Sequence, residues 1–305
     1  MLKGKSRRKL LLRLVKRAVK RVVCRDFIVR VMLHLLMICF VFFMALPLLY
    51  IVVTAFKPID ELFRFPPQFI VRRPTWNNFA NLFAAMEIAE VPFIRYVFNS
   101  VLVTVSVAVL AVLVSSMGAY GLVKHKPPGH KLVSSIIVAS LMMVPQAITV
   151  SSFQMVNYLR LTDSYWALIL PKIAVGLYFF LIQQFMSQVP DSFIESARLD
   201  GAGEIRVFLK IVMPTVRPAW ATLFMYSFVA TWNDFFSPLI FTSSEAMKTL
   251  PLALQTIAGG AANSSIGRAG AVAASSFVLI LPTVLVFLIL QKQVMETMAY
   301  TGIKA

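Results

Sequence analysis

From Leu35 to Phe56 the chain runs 22 residues without a charge, and comparable uncharged runs follow at Tyr96 to Val123 and Leu132 to Leu159. At a rise of about 1.5 Å per residue, each run as a helix crosses a hydrocarbon core of roughly 30 Å. Inside that core the backbone must satisfy its own polar groups, so the helix is the form such segments take. A fourth run, Ser164 to Val189, admits only Lys172, whose stem can snorkel if it lies near an interface. A fifth, Pro218 to Thr242, contains Asp234, and a sixth, Ala269 to Gln291, is closed by Lys292. The pattern predicts an all-α integral membrane protein with six transmembrane helices.

Composition agrees: 59% of the 305 residues are hydrophobic and only 14% are charged, too few to solvate a soluble domain of this size. The net charge of +17 could indicate a nucleic-acid partner. Its placement argues otherwise, because twelve of the 30 Lys and Arg lie between Lys3 and Arg30, where Asp26 is the only acid. A basic block directly before an apolar span is the cytoplasmic anchor expected from the positive-inside rule, drawn to anionic membrane lipids. The apolar run after it is too long for a cleaved signal peptide and lacks a small-residue cleavage site, so it reads as a retained span. Cys24 and Cys39 give no disulfide framework.

These signals divide the chain into a basic segment (1–30), spans at 31–56, 96–123, 132–159, 164–189, 218–242 and 269–291, and a tail at 292–305. Residues 96–291 form the core. With both termini cytoplasmic, 21 of the 30 basic residues fall on the inner side. The outer segment 57–95, rich in proline (Pro66, Pro67, Pro74, Pro92), is expected to hold short helices on the outer face. The outer loop Ser243 to Arg268, with Gly259 and Gly260, is expected to be a flexible contact. Prolines at 47, 145, 171, 238 and 282 are expected to kink or break their spans.

The inner connection 190–217 is the most specific stretch. Ser192 with Glu195 three residues on reads as a capping box, starting a helix just after Pro190. Gly201 or Gly203 can end it. A second amphipathic piece carries Ile205, Phe208, Leu209 and Val212 and should stop before Pro214.

This loop resembles the EAA motif of bacterial ABC importer permeases: Glu-Ala-Ala, three residues, Gly, nine residues, then Ile-x-Leu-Pro. Glu195, Ala197, Gly201, Ile211 and Pro214 match in register, while Ser196 replaces an alanine and Met213 the leucine. The run Arg198 to Ala202 is similarly typical. Thr231-Trp232-Asn233-Asp234-Phe235, with Pro238 after it, resembles the carbohydrate-uptake branch, and within it the smaller permease of the maltose transporter. The likeness covers most of the chain after Lys57.

The resemblance implies a non-catalytic subunit in the bacterial inner membrane. Its partners would be a second homologous permease, an ABC ATPase dimer that binds ATP and Mg, and an extracytoplasmic solute-binding protein. The chain itself lacks the glycine-rich phosphate loop: its only Gly-Lys pair is Gly4-Lys5, too near the start to have the first glycine of that motif. By the same resemblance Glu195, Ser196, Ala197, Asp200, Gly201, Ala202 and Gly203 form a coupling helix and turn that dock on the ATPase. Glu195 could pair there with a basic residue or serve only its own helix cap. The loop 243–268 corresponds in position to one that reaches the binding protein.

Asp234 is costly in a span unless it meets a partner or a wet cavity, which makes it a candidate pathway residue; the competing role is to cap a helix break through Trp232 or Asn233. Sugar recognition combines aromatic faces with planar polar groups, so Trp232, Asn233, Asn99, Gln146, Gln154 and Gln183 join it, although spans also use Asn and Gln as interhelical glue. No Cys/His set has metal-ligand spacing. His125 and His130 read as solvated, and Phe40, Phe42 and Phe43 as lipid-facing bulk. An importer of a polyol or glycerol phosphate would show the same features. An ion-coupled transporter would need more buried acids and inverted repeats, and a membrane enzyme would need paired catalytic groups.

Overall fold

A computed structural model describes residues 3–65, 68–87, 91–259 and 265–302, and their side chains except at 3–28, 85–87, 145–147, 257–259, 265–268 and 297–302. Pro66, Pro67 and Gly260 therefore lie outside the described residues, as do the side chains of most of the basic block. The described residues contain helices and no strand.

Among the described residues three helices are long and apolar enough to cross a membrane unbroken: Val29–Ala55 within α1 (Lys3–Ala55), α4 (Phe93–Lys124), and Ala269–Glu296 within α15 (Ser265–Gly302). The basic block and first span share one helix, so no backbone boundary marks residue 30. Between α1 and α4 lie α2 (Ile59–Leu62) and α3 (Asn77–Glu87), the short helices expected there.

The third and fourth expected spans are not single helices. Residues 130–158 form α5 (His130–Ser140) and α6 (Pro145–Tyr158), with Pro145 at the start of α6 where its missing N–H costs nothing. Residues 165–186 form α7 (Tyr165–Ile173) and α8 (Gly176–Met186), bent by 44° after Pro171. Pro47 and Pro282, by contrast, sit inside unbroken α1 and α15.

The loop between the fourth and fifth spans contains α9 (Asp191–Leu199) and α10 (Glu204–Val207), then a π-helical turn at Phe208–Val212 and α11 (Met213–Thr215). Pro214 does not stop this piece, because the wider π-turn tolerates its missing donor. The stop comes at Val216, after which α12 (Arg217–Trp232) leaves at 81°. The fifth span breaks again before α13 (Phe236–Phe241). The loop after it is not simply flexible: α14 (Leu250–Gly259) buries Leu250, Leu252, Ala253 and Leu254.

Helix α4 is the axis, packed on α12, α8 and α7. At its C-terminal end a core of Val112, Tyr120, Ile182, Met186, Val207, Phe208 and Leu223 joins α4, α8 and α12 to the loop helices, whose Ile194 and Ala197 are buried in it. At its N-terminal end Tyr96, Phe228, Trp232, Leu254 and Ala274 form a second core with Phe79 and Leu82 of α3. Helix α1 packs along α15 and leaves Phe40, Phe42 and Phe43 exposed.

Helix α8 begins at a close approach to α5. A Cβ at Gly176 would lie 2.2 Å from Ser140 Oγ and 3.3 Å from the Ile137 carbonyl. Gly176→Ala is expected to lower stability by roughly 1–3 kcal/mol, as overpacking does, with most of it regained by adding Ser140→Ala. Thermal unfolding of the two variants in detergent measures this.

Candidate functional site

Helix α9 starts immediately after Pro190, as the sequence predicts, but not through a capping box. Pro190 occupies the cap position and no side chain caps the helix. Ser192 instead lies one residue inside, where its carbonyl accepts from Ser196 Oγ at 2.8 Å. The first residue, Asp191, pairs with Lys124 Nζ at 2.7 Å, and Lys124 also donates to the Val189 carbonyl. That hydrogen bond and the lysine charge hold the Asp191 carboxyl below its ordinary range.

The helix ends in a Schellman motif. Gly201 takes φ +80, Gly201 N–H donates to the Arg198 carbonyl at 3.0 Å, and Ala202 N–H to the Ala197 carbonyl at 2.9 Å. Ile194 and Ala197 face the body of the protein, while Phe193 is 52% exposed, Leu199 89% and, on α10, Ile205 77%. Glu195, Ser196, Asp200 and Gly203 are exposed as well. Ile205 and Leu209 do not share the buried face expected of them; Val207, Phe208 and Val212 fill it.

Glu204 is the hub of this region. One oxygen accepts from Arg198 (Nη2 at 2.7 Å, Nε at 2.8 Å), and the other from the Tyr120 hydroxyl at 2.9 Å, with His125 Nε2 at 3.3 Å. The Tyr120 bond first, then Arg198 and His125, hold its carboxyl below the ordinary range despite partial desolvation. His125, expected to be solvated only, therefore has a partner.

At the break in the fifth span, Asp234 Oδ1 accepts from the backbone N–H groups of Phe236 (2.9 Å) and Ser237 (3.1 Å). It caps the break, through those residues and not through Trp232 or Asn233. Its other oxygen pairs with Lys172 of α7, so Lys172 is bound to a partner and not free to snorkel. Trp232 is buried, stacks on Phe228 at 6.1 Å and donates to the Leu279 carbonyl at 3.0 Å. Asn233 is exposed beside it and donates back to Val229.

Asn99 is wholly buried: its amide donates to the carbonyls of Ala246 and Lys248, each at 2.8 Å, and accepts from Tyr165 at 2.8 Å. Gln183 donates to Ser134 Oγ at 3.0 Å, while its Oε1 is buried without a partner. Gln154 is exposed on α6, and the side chain of Gln146 lies outside the described residues. The structure thus brings Asp234 to Lys172, turns its neighbours Trp232 and Asn233 to Leu279 and Val229, and places Asn99, Gln154 and Gln183 on other elements. No group of three or more metal-ligating side chains clusters among the described residues.

Residues 111–295 match the family described as the inner membrane component of binding-protein-dependent transport systems. The chain belongs to that family. This permease is 29% identical over 272 residues to the arabinooligosaccharides transport system permease AraQ of Bacillus subtilis, covering 86% of this chain and 94% of that one. It is 30% identical over 266 residues to the sn-glycerol-3-phosphate transport system permease UgpE of Yersinia enterocolitica, covering 85% and 92%. Its fold is shared with a chain of a bacterial ABC transporter that imports the acidic polysaccharide alginate, at a TM-score of 0.74 and 20% identity over 88% of this chain and 96% of that one.

Sequence reasoning found the permease's loop through its motif and missed what the loop is bound to. Tyr120, Lys124 and His125 belong to no motif. The one local signal is Glu204 directly after the glycine turn, six residues from Arg198.

Proposed function

We propose that the permease is one half of the translocation pathway of an ATP-driven importer of a carbohydrate, an oligosaccharide or related sugar, and that it couples to a separate ATPase through residues 190–217. The observation that carries this reading is α9: its inner face is seated in the core while Phe193, Leu199 and Ile205 stand exposed on either side of the Gly201 turn. Exposed apolar side chains on a short helix seated in the core are what a partner's cleft would grip. Glu195, Ser196, Ala197, Asp200, Gly201, Ala202 and Gly203 form this coupling element.

Further elements of the reading are six membrane crossings, with α5–α6, α7–α8 and α12–α13 as interrupted spans, and both termini and α9 in the cytoplasm. A second permease lies alongside and a solute-binding protein delivers from outside. ATP and Mg are bound by the partner ATPase dimer. The candidate pathway residues are Trp232, Asn233 and Asp234, with Asn99, Gln146, Gln154 and Gln183. A glycerol-phosphate importer is the second reading, motivated by the likeness to UgpE. The Lys172–Asp234 pair favours a neutral solute, because the lysine's charge is already met within the chain.

Purification of the tagged permease from its native cell in mild detergent is expected to bring down an ABC ATPase and a second permease. Uptake of labelled oligosaccharides and of sn-glycerol 3-phosphate by the same cells separates the two solute readings. A lone homo-oligomer would overturn both.

A further inference from the structure

The turn between α9 and α10, Asp200 to Gly203, holds two glycines and little bulk. Alone it would be a hinge: a force on α9 could swing that helix without moving any span. The structure ties both ends of α9 to the last turn of α4 and the residue after it. At the start of α9, Asp191 is bound to Lys124, whose ammonium also holds the Val189 carbonyl. At its end, Arg198 crosses the glycine turn to Glu204, and the second Glu204 oxygen takes Tyr120 and His125. Asp191 and Arg198 lie seven residues apart, about 10 Å along the helix, so α9 is fixed at two separated points.

The groups at the Glu204 end are not loosely placed. Tyr120 is buried, its ring packed against Phe208 and edge-on to His125, each at 5.3 Å. Phe193 and Leu199 remain exposed. The surface that would receive a partner and the surface that holds α9 to the spans are therefore distinct.

We infer that Glu204 is a positioning residue for energy coupling: with Tyr120, Arg198 and His125, and alongside Lys124–Asp191, it locks α9 to the end of α4 so that displacement of α9 moves the central span. The charged contacts add to an apolar seat of two buried side chains, Ile194 and Ala197. This inference rests on the coupling role proposed above.

The test uses the full complex, purified through a tag on this chain and placed in nanodiscs of phosphatidylethanolamine and phosphatidylglycerol. With Cys24 and Cys39 replaced by serine, nitroxide labels at Met117→Cys on α4 and Ser192→Cys on α9 report their separation by pulsed electron resonance, with and without ATP plus vanadate. In the otherwise wild-type chain the separation is expected to be the same in both conditions. In Glu204→Ala and in Tyr120→Phe it is expected to shift by about 2 Å or more on adding nucleotide, with the ATPase still co-purifying. A residue that only stabilised the loop would give no nucleotide-dependent shift.

An unchanged separation in both variants with the ATPase bound, or a shift already present in the wild-type chain, overturns the inference. So does loss of the ATPase from Glu204→Ala alone, which would make Glu204 a docking residue. If Glu204→Ala does not accumulate, Tyr120→Phe decides by itself. Absence of any ATPase from the wild-type complex would instead sink the coupling role, and this inference with it.

Discussion

Uptake is expected to fall at least about tenfold in Gly201→Trp, with the protein inserted and abundant and the ATPase lost from the purified complex. Two effects can be separated here. Gly201 holds φ +80, where a residue with a Cβ costs about 1–2 kcal/mol. Yet a Cβ at this position meets no atom within 4 Å, so the chain offers no steric objection of its own. The indole would project from an exposed turn, into the surface proposed for the ATPase. Gly201→Asn isolates the backbone effect, because asparagine tolerates the left-handed conformation and keeps the Schellman hydrogen bonds. Near-normal uptake in Asn with loss in Trp assigns the defect to docking. Unchanged uptake in Trp would remove the coupling role from this turn.

Asp234→Asn is expected to cut the amount of assembled complex several-fold and lower its thermal stability, by roughly 2–3 kcal/mol. Asparagine can still accept from Phe236 and Ser237, so the cap survives. What is lost is the partner of Lys172, whose side chain is only 19% exposed. An ammonium left unpaired in that setting is the costly outcome. The double variant Asp234→Asn/Lys172→Met should recover most of the loss, whereas Asp234→Leu/Lys172→Met should not, because it also removes the cap. Equal behaviour of the two doubles would show that the cap contributes nothing.

The apolar runs made α1, α4 and α15 legible in the sequence, since hydropathy over twenty residues has few other meanings. Hydropathy is blind to backbone breaks, and it is the prolines at 145, 171 and 238 that point to the interruptions of the third, fourth and fifth spans. Pro145 begins a new helix, while Pro47 and Pro282 do nothing visible, and composition around them does not distinguish these fates. The start of α9 just after Pro190 was inferred from a capping box of Ser192 and Glu195 that the helix does not use, since Pro190 takes the position Ser192 would need. Asp234 was recognisable as an anomaly from sequence, and its helix-capping function too. Its partner Lys172 lies 62 residues away, a pairing that only the packing of α7 against α13 creates. The same holds for Tyr120 and Glu204, 84 residues apart.

The placement of Asn99 bears on how genetic data from such a chain would be interpreted. A screen for cells that have lost uptake would return substitutions there readily, since one amide, itself wholly buried, joins α4, α7 and the stretch before α14 through three hydrogen bonds. Such an allele has a sufficient cause in a broken joint, with no solute involved. Alleles that change which solute is accepted, while leaving the amount of protein constant, are the ones that would chart the route.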